Sequence, residues 1–179
     1  MTAGRHIQNI ALIGFMGTGK SSVGRLIAEQ LRFPLIDTDE MIVSRAHKSI
    51  ADIFTQDGER RFRDYEKEIV AELASHNRTV ICTGGGLGAN EANLDSLKQH
   101  ALVVCLWASP EKIWERVHNQ THRPLLQGPD PMPKIRELLA ARERFYKQAD
   151  VLLSTDVRSL KEVAAQVLHQ FRVMSADSR

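Results

Sequence analysis

Five short apolar runs punctuate the chain: Ile10–Ile13, Pro34–Asp37, Val80–Thr83, Leu102–Trp107 and Val151–Leu153. Their continuous apolar character predicts parallel strands covered on both faces. Between the runs, apolar positions fall three and four apart. Val23, Leu26, Ile27 and Leu31 share one face of a helix, and Phe62, Tyr65, Ile69, Val70 and Leu73 repeat the spacing. So do Ile135, Leu138, Leu139 and Phe145. The series Leu160, Val163, Ala164, Val167, Leu168 and Phe171 reads as a closing helix, with Met174–Arg179 expected to fray beyond it. Strands alternating with helices predict an α/β domain with a mostly parallel sheet, and 179 residues suit one domain over 1–179.

Two stretches break the rhythm. Ala46–Gly58 reads as a short helical insertion, and His118–Pro133 as a polar loop carrying Pro124, Gly128, Pro129, Pro131 and Pro133. A long loop in a compact domain usually carries function, so 118–133 is the expected lid. No internal repeat or low-complexity tract is present.

Composition narrows the classes. Apolar residues make up 42% of the chain, enough for a core, and 24 basic residues nearly balance 22 acidic ones. That balance gives no field for nucleic acid or membrane, and neither is expected as a partner. Cys82 and Cys105 stand singly inside apolar runs, which suits buried strands and a reducing compartment better than a disulfide or metal site. No stretch approaches the roughly 18 apolar residues of a membrane helix, and Ile10–Ile13 is too short for a signal peptide. The expectation is a soluble, cytoplasmic monomer.

The first motif with chemistry is Gly14-Phe15-Met16-Gly17-Thr18-Gly19-Lys20-Ser21, which meets G-x-x-x-x-G-K-[ST] between an expected strand and an amphipathic helix. Glycines let the backbone N–H groups wrap a phosphate. The helix N-terminus adds partial positive charge, Lys20 a full one, and the Ser21 hydroxyl can ligate magnesium. Gly17, Thr18, Gly19, Lys20, Ser21 and Ser22 are the expected ATP-binding residues of this loop. The motif names the nucleotide and leaves the acceptor open. A guanine-reading N-K-x-D is absent, and the strand over 80–83 ends in Gly84-Gly85-Gly86 rather than in an aspartate. That points to a small-molecule kinase.

Four further features bear on the acceptor. Asp37 and Asp39 stand two apart at a strand end, on one side if the chain stays extended; the alternative is that Thr38 or Asp39 caps the next helix. Arg60, Arg61 and Arg63 cluster, with Arg61 and Arg63 flanking the apolar stripe on opposite edges, and geometry does not choose between those two. Arg142 shares the helix face of Ile135, Leu138, Leu139 and Phe145, where an unpaired arginine is costly to bury. Three successive glycines after a strand permit close approach of a ligand to the backbone.

These residues together resemble the shikimate kinase family. The matching stretches, in order, are GFMGTGKSSVGRLIA, IDTD, SIADIFTQDGERRFRDYE, the triple glycine, RPLL and the Arg-x-x-x-Tyr of ARERFY, over roughly residues 8 to 172. The resemblance implies a three-layer α/β/α fold with a five-stranded parallel sheet of order 2-3-1-4-5, as in nucleoside-monophosphate kinases. It implies a substrate-binding helical region at about 38–65 and a lid at about 118–133. Asp37 is then expected near Mg²⁺ through water, and Asp39 on a substrate hydroxyl as orienter and base. Arg63, held by Glu66, and Arg142 take the substrate carboxylate, while Gly84 and Gly85 donate backbone N–H groups, Gly85 most directly. Arg123 reaches the ATP phosphates on lid closure, and Arg158 flanks adenine. The implied catalytic set is Lys20, Asp39 and Arg123; the implied ligands are ATP, Mg²⁺ on Ser21, and shikimate. A kinase for gluconate or an aminated shikimate relative is the competing enzyme reading, and a noncatalytic sensor would be expected to lack Lys20, Asp39 or Arg123. The chain departs from the commonest pattern at Ser22, at Leu87-Gly88-Ala89, and in the histidines of the lid, His118 and His122.

Overall fold

In the computed structural model, residues 5–119 and 130–176 are described. Five strands form one parallel sheet: β1 (Asn9–Ile13), β2 (Leu35–Asp37), β3 (Val80–Cys82), β4 (Ala101–Trp107) and β5 (Val151–Ser154). Each lies within one residue of its expected bounds, and the order is β2-β3-β1-β4-β5, as the resemblance implied.

Neighbouring residues of a strand face opposite sides, so the continuous apolar runs feed two cores. Ala11, Ile13, Ile81, Val103 and Cys105 face one layer of helices, and Ile10, Leu12, Val80, Leu102, Val104 and Leu106 the other. The second layer is α1 (Lys20–Leu31) and α8 (Leu160–Ala176), which bury Val23, Ile27, Val163 and Val167. The first layer contains α4 (Gly58–Leu73), α5 (Glu91–His100), α6 (Pro110–Val117) and α7 (Pro131–Tyr146), contributing Ile69, Leu73, Leu94, Ile113 and Leu139. Coverage on both faces holds for the three central strands. It does not hold at the edges, where Leu35 of β2 is 37% and Leu152 of β5 is 51% exposed.

The insertion after β2 consists of α2 (Thr38–Ala46), the single turn α3 (Ile50–Asp52), and a π-helical turn at Ile53–Asp57 that runs into α4 through Gly58. Two short helices, α5 and α6, lie outside the expected elements, each with a brief apolar face (Leu94 and Leu97; Ile113 and Val117) and an N-cap: Asn90 accepts from Asn93 N–H and Ser109 from Lys112 N–H, with Pro110 in the first turn of α6. The expected loop is too long at its far end. Pro131 and Pro133 belong to the first turn of α7, capped by Asp130, whose Oδ1 accepts from Met132 N–H at 3.2 Å. A proline there loses no intrahelical hydrogen bond. Residues 120–129 lie outside the described residues. Helix α8 continues through Met174 to Ala176, so the expected fraying does not begin at Met174. Among the described residues no helix is long and apolar enough to cross a membrane.

Candidate active site

The loop after β1 turns through Gly14, Gly17 and Gly19 at φ 135°, 77° and 92°, a region that side-chain-bearing residues rarely enter. It delivers the chain into α1, whose N-cap Gly19 supplies no side-chain acceptor to the first-turn N–H groups. Those donors and the helix dipole make an anion site. Lys20 is buried, and its Nζ donates to the carbonyls of Gly14 and Phe15 at 2.9 Å each, closing the loop on itself. Thr18 Oγ1 donates to Phe15 O at 2.8 Å. Ser21 and Ser22 are exposed in the first turn of α1.

Sequence reasoning does not single out Arg116 of α6, yet it joins this loop to the far edge of the sheet. Its guanidinium donates to Gly17 O at 3.1 Å, Thr155 Oγ1 at 3.0 Å and Thr155 O at 2.7 Å. No motif marks it, because it lies on the polar side of a short helix whose apolar face is Ile113 and Val117. Arg158 is exposed just beyond, with Nη1 donating to Ser154 O at 3.0 Å.

At the end of β2 the chain does not stay extended. Asp37 is the N-cap of α2, and its Oδ1 accepts from Asp39 N–H at 2.9 Å. The two carboxylates are therefore related by a helix start and not by a strand repeat, and the capping residue is Asp37 rather than Thr38 or Asp39. Thr38 is fully buried, and its hydroxyl oxygen accepts from Gly84 N–H at 2.9 Å. The Gly84 donor is thus spent inside the protein, and what Gly84 contributes is space: a Cβ there would collide with Asp39 Oδ1.

The two arginines that flank the stripe on α4 have separate fates. Arg61 is exposed, lies over the Tyr65 ring at 4.0 Å and pairs with Glu68 at 3.2 Å. Arg63 turns toward the triple glycine, so close that a Cβ on Gly86 would lie 2.8 Å from its Nη1. Glu66 Oε2 holds Arg63 Nη1 at 2.8 Å, and Glu59 Oε1 holds Nη2 at 2.8 Å. The Glu66 side chain is 1% exposed, and among the described residues its Oε1 has no hydrogen-bond partner. Burial pushes the Glu66 carboxyl above its ordinary range; Arg63 pulls it back, and Asp39 raises it further.

Arg142 comes from the opposite side, on α7. Its Nη1 donates to Gly85 O at 2.8 Å, and its guanidinium carbon lies 5.2 Å from the Phe15 ring centroid. Tyr146 O–H, missed as a site residue although it completes the Arg-x-x-x-Tyr pattern, donates to the same Gly85 oxygen at 3.1 Å. Among the described residues, Gly85 N–H and Gly86 N–H have no acceptor. A Cβ on Gly85 would lie 3.4 Å from Met16 N, so the glycine segment abuts the phosphate loop. Arg63, Gly86, Arg142 and Phe145 border a cavity of about 210 Å³. A larger depression of about 520 Å³, between β5 and α8, offers Gln166 and His169 but no convergent charged groups.

The fold therefore gathers Asp39, Arg63 and Arg142 around Gly84, Gly85 and Gly86, a turn past the carboxyl end of β3 that abuts the phosphate loop at Met16, where open α/β sheets bind ligands. Arg158 stands apart, by β5. Arg123 and the RPLL stretch lie outside the described residues. Two arginines and the Gly86 amide around a small pocket suit a carboxylate, and the adjoining loop suits phosphate.

Comparison with known proteins converges on this chemistry. A family model described as shikimate kinase matches residues 16–172. The chain is 44% identical over 167 residues to a shikimate kinase of Symbiobacterium thermophilum, covering 92% of this chain and 96% of that one. It is 41% identical over 169 residues to a shikimate kinase of Thermodesulfovibrio yellowstonii, covering 94% and 98%. Among solved structures, the Acinetobacter baumannii shikimate kinase in complex with shikimate superposes with a TM-score of 0.88 at 34% identity, over 94% of this chain and 95% of that one.

Proposed function

Since the chain belongs to the shikimate kinase family, we propose that it transfers the γ-phosphoryl group of ATP to the 3-hydroxyl of shikimate, giving shikimate 3-phosphate and ADP. The observation that carries this reading is the contact between the triple glycine and the phosphate loop. Arg63 and Arg142 border the pocket beside that glycine turn, and Asp39 lies against Gly84 within the same turn. Arg63 and Arg142 clamp the ring carboxylate from α4 and α7, Asp39 and the Gly85 N–H fix the ring hydroxyls, and Asp39 accepts the proton of the attacking one. Phosphoryl transfer needs in-line placement and charge neutralisation more than covalent chemistry, which suits a site built of fixed cations and amides. Lys20 leaves the loop carbonyls for the phosphates, and Arg123, in the stretch between α6 and α7 that the resemblance reads as a lid, joins it on closure, which excludes water.

Among the described residues no cluster of three or more His, Cys, Asp or Glu side chains could hold a metal. Ser21, exposed in the first turn of α1, offers one oxygen, and Asp37 a second through water. That donor set fits Mg²⁺ carried mainly by triphosphate oxygens and water. When bound, the ion neutralises charge on the β- and γ-phosphates.

The paired arginines favour a compact cyclic carboxylate over an open-chain sugar acid. A coupled ADP-release assay with shikimate, quinate and gluconate, run with Mg²⁺ and with chelator, tests the reading. We expect turnover to be fastest on shikimate and lost with chelator. ADP release on shikimate no faster than the water background would overturn it.

A further inference from the structure

Three successive glycines are the least self-supporting segment a site can be built on, since each loses more backbone freedom on ordering than any other residue. Here the restraint comes from α7. Arg142 and Tyr146, one helical turn apart on the same face, converge on the single carbonyl oxygen of Gly85, at 2.8 Å and 3.1 Å. The Tyr146 ring is buried in the core with Ile135 and Leu139. Burial pushes its hydroxyl up to about 12, although the Arg142 charge beside it pulls the other way. It therefore stays a neutral donor across the working range of pH.

The geometry has a direct consequence. A trans peptide is planar, with its C=O and the following N–H pointing in opposite directions. Fixing Gly85 O fixes the Gly86 N–H, which has no acceptor among the described residues and belongs to the residue lying against Arg63. The shared oxygen also ties Arg142 Nη1 to one place and leaves the rest of its fork to aim into the pocket.

We propose that Tyr146 is a positioning residue for the acceptor carboxylate: its hydroxyl locks the Gly85–Gly86 peptide and holds Arg142 in register with Arg63. This rests on the reading of that pocket as the shikimate carboxylate site. It goes beyond core packing, because the ring alone would fill the same space.

Tyr146→Phe keeps the ring and removes one oxygen. The KM for shikimate is expected to rise about tenfold, the scale of one lost buried hydrogen bond, with the KM for ATP unchanged. KM is read on folded molecules only, so a lowered Tm does not mimic this split. Because the two donors share one acceptor, adding Tyr146→Phe to Arg142→Lys should raise the shikimate KM by less than it does in the wild type. A shikimate KM within twofold of wild type in Tyr146→Phe, an equal rise in both KM values, or additive effects with Arg142→Lys would each overturn the proposal while leaving the kinase reading intact. A wild-type protein that neither binds nor turns over shikimate would overturn both.

Discussion

Glu66 is where electrostatic cost concentrates. Its carboxylate is buried, gives one oxygen to Arg63 and, among the described residues, leaves the other without a partner. Removing one member of a buried ion pair strands the other, which typically costs several kcal/mol. Here Glu59 still holds Arg63 from the exposed side. Glu66→Gln should therefore misplace Arg63 rather than unfold the protein, raising the shikimate KM at least tenfold and leaving that for ATP within twofold. The pH dependence of stability has a definite sign. Burial raises the folded pKa of Glu66 above its ordinary 4.5, so the folded state holds this proton more tightly than the unfolded chain. Its contribution is full below about 4.5 and is lost as pH climbs through the raised value. The Tm of Glu66→Gln should gain on that of wild type as pH rises from 4.5 through that window. A Tm difference that is flat or moves the other way would refute the assignment. At this scale the sequence pointed to Glu66 only through its spacing from Arg63. Helix geometry could not choose Arg63 over Arg61, since both edge the same stripe, and only the family resemblance named Arg63. Arg63 is selected by the approach of Gly86, from a strand end far along the chain.

At the scale of elements, the turn after β3 couples the two halves of the site. Thr38 Oγ1 takes the Gly84 N–H, and the missing Gly84 side chain makes room for the Asp39 carboxylate. Gly84→Ala should drive Asp39 out of place, at a strain of about 1–3 kcal/mol, and lower turnover on shikimate at least a hundredfold. ATP binding, followed by calorimetric titration, should stay near wild type, because the phosphate loop lies on another strand end. Retained turnover in Gly84→Ala would remove Asp39 from the mechanism proposed above. The strands were legible because their runs are uniformly apolar, and α1, α4, α7 and α8 because their stripes are wide. Helices α5 and α6 were not among the expected elements, since at 10 and 8 residues each repeats its apolar spacing only once. Arg116 was hidden with α6. The Asp37–Asp39 pair stayed open between a strand repeat and a helix cap for a related reason: a strand and a helix start are indistinguishable over three residues until the cap is seen.

Across the whole molecule, the sheet divides two cores, and the cysteines fall one into each: Cys82 among the residues under α1 and α8, Cys105 under the other layer. Burial pushes both thiols up to about 12, so neither offers a thiolate near neutrality. A disulfide reagent that releases a coloured thiol should find no reactive cysteine in the native protein and two in denaturant; rapid native reaction would contradict this packing. The sequence by itself determined the phosphate loop, the five strands and the main amphipathic helices, because each is a local property: a turn chemistry, an apolar run or a period of 3.6. The residue types that suit a carboxylated acceptor were also in plain view. Which of them meet was decided by tertiary structure. The strand order brings the ends of β1, β2 and β3 side by side, and Arg63, Gly86 and Arg142 touch one pocket only because α4 and α7 flank that junction. A partner far along the chain leaves no trace in local spacing, and so the doubled hold on the Gly85 carbonyl emerged only from the fold.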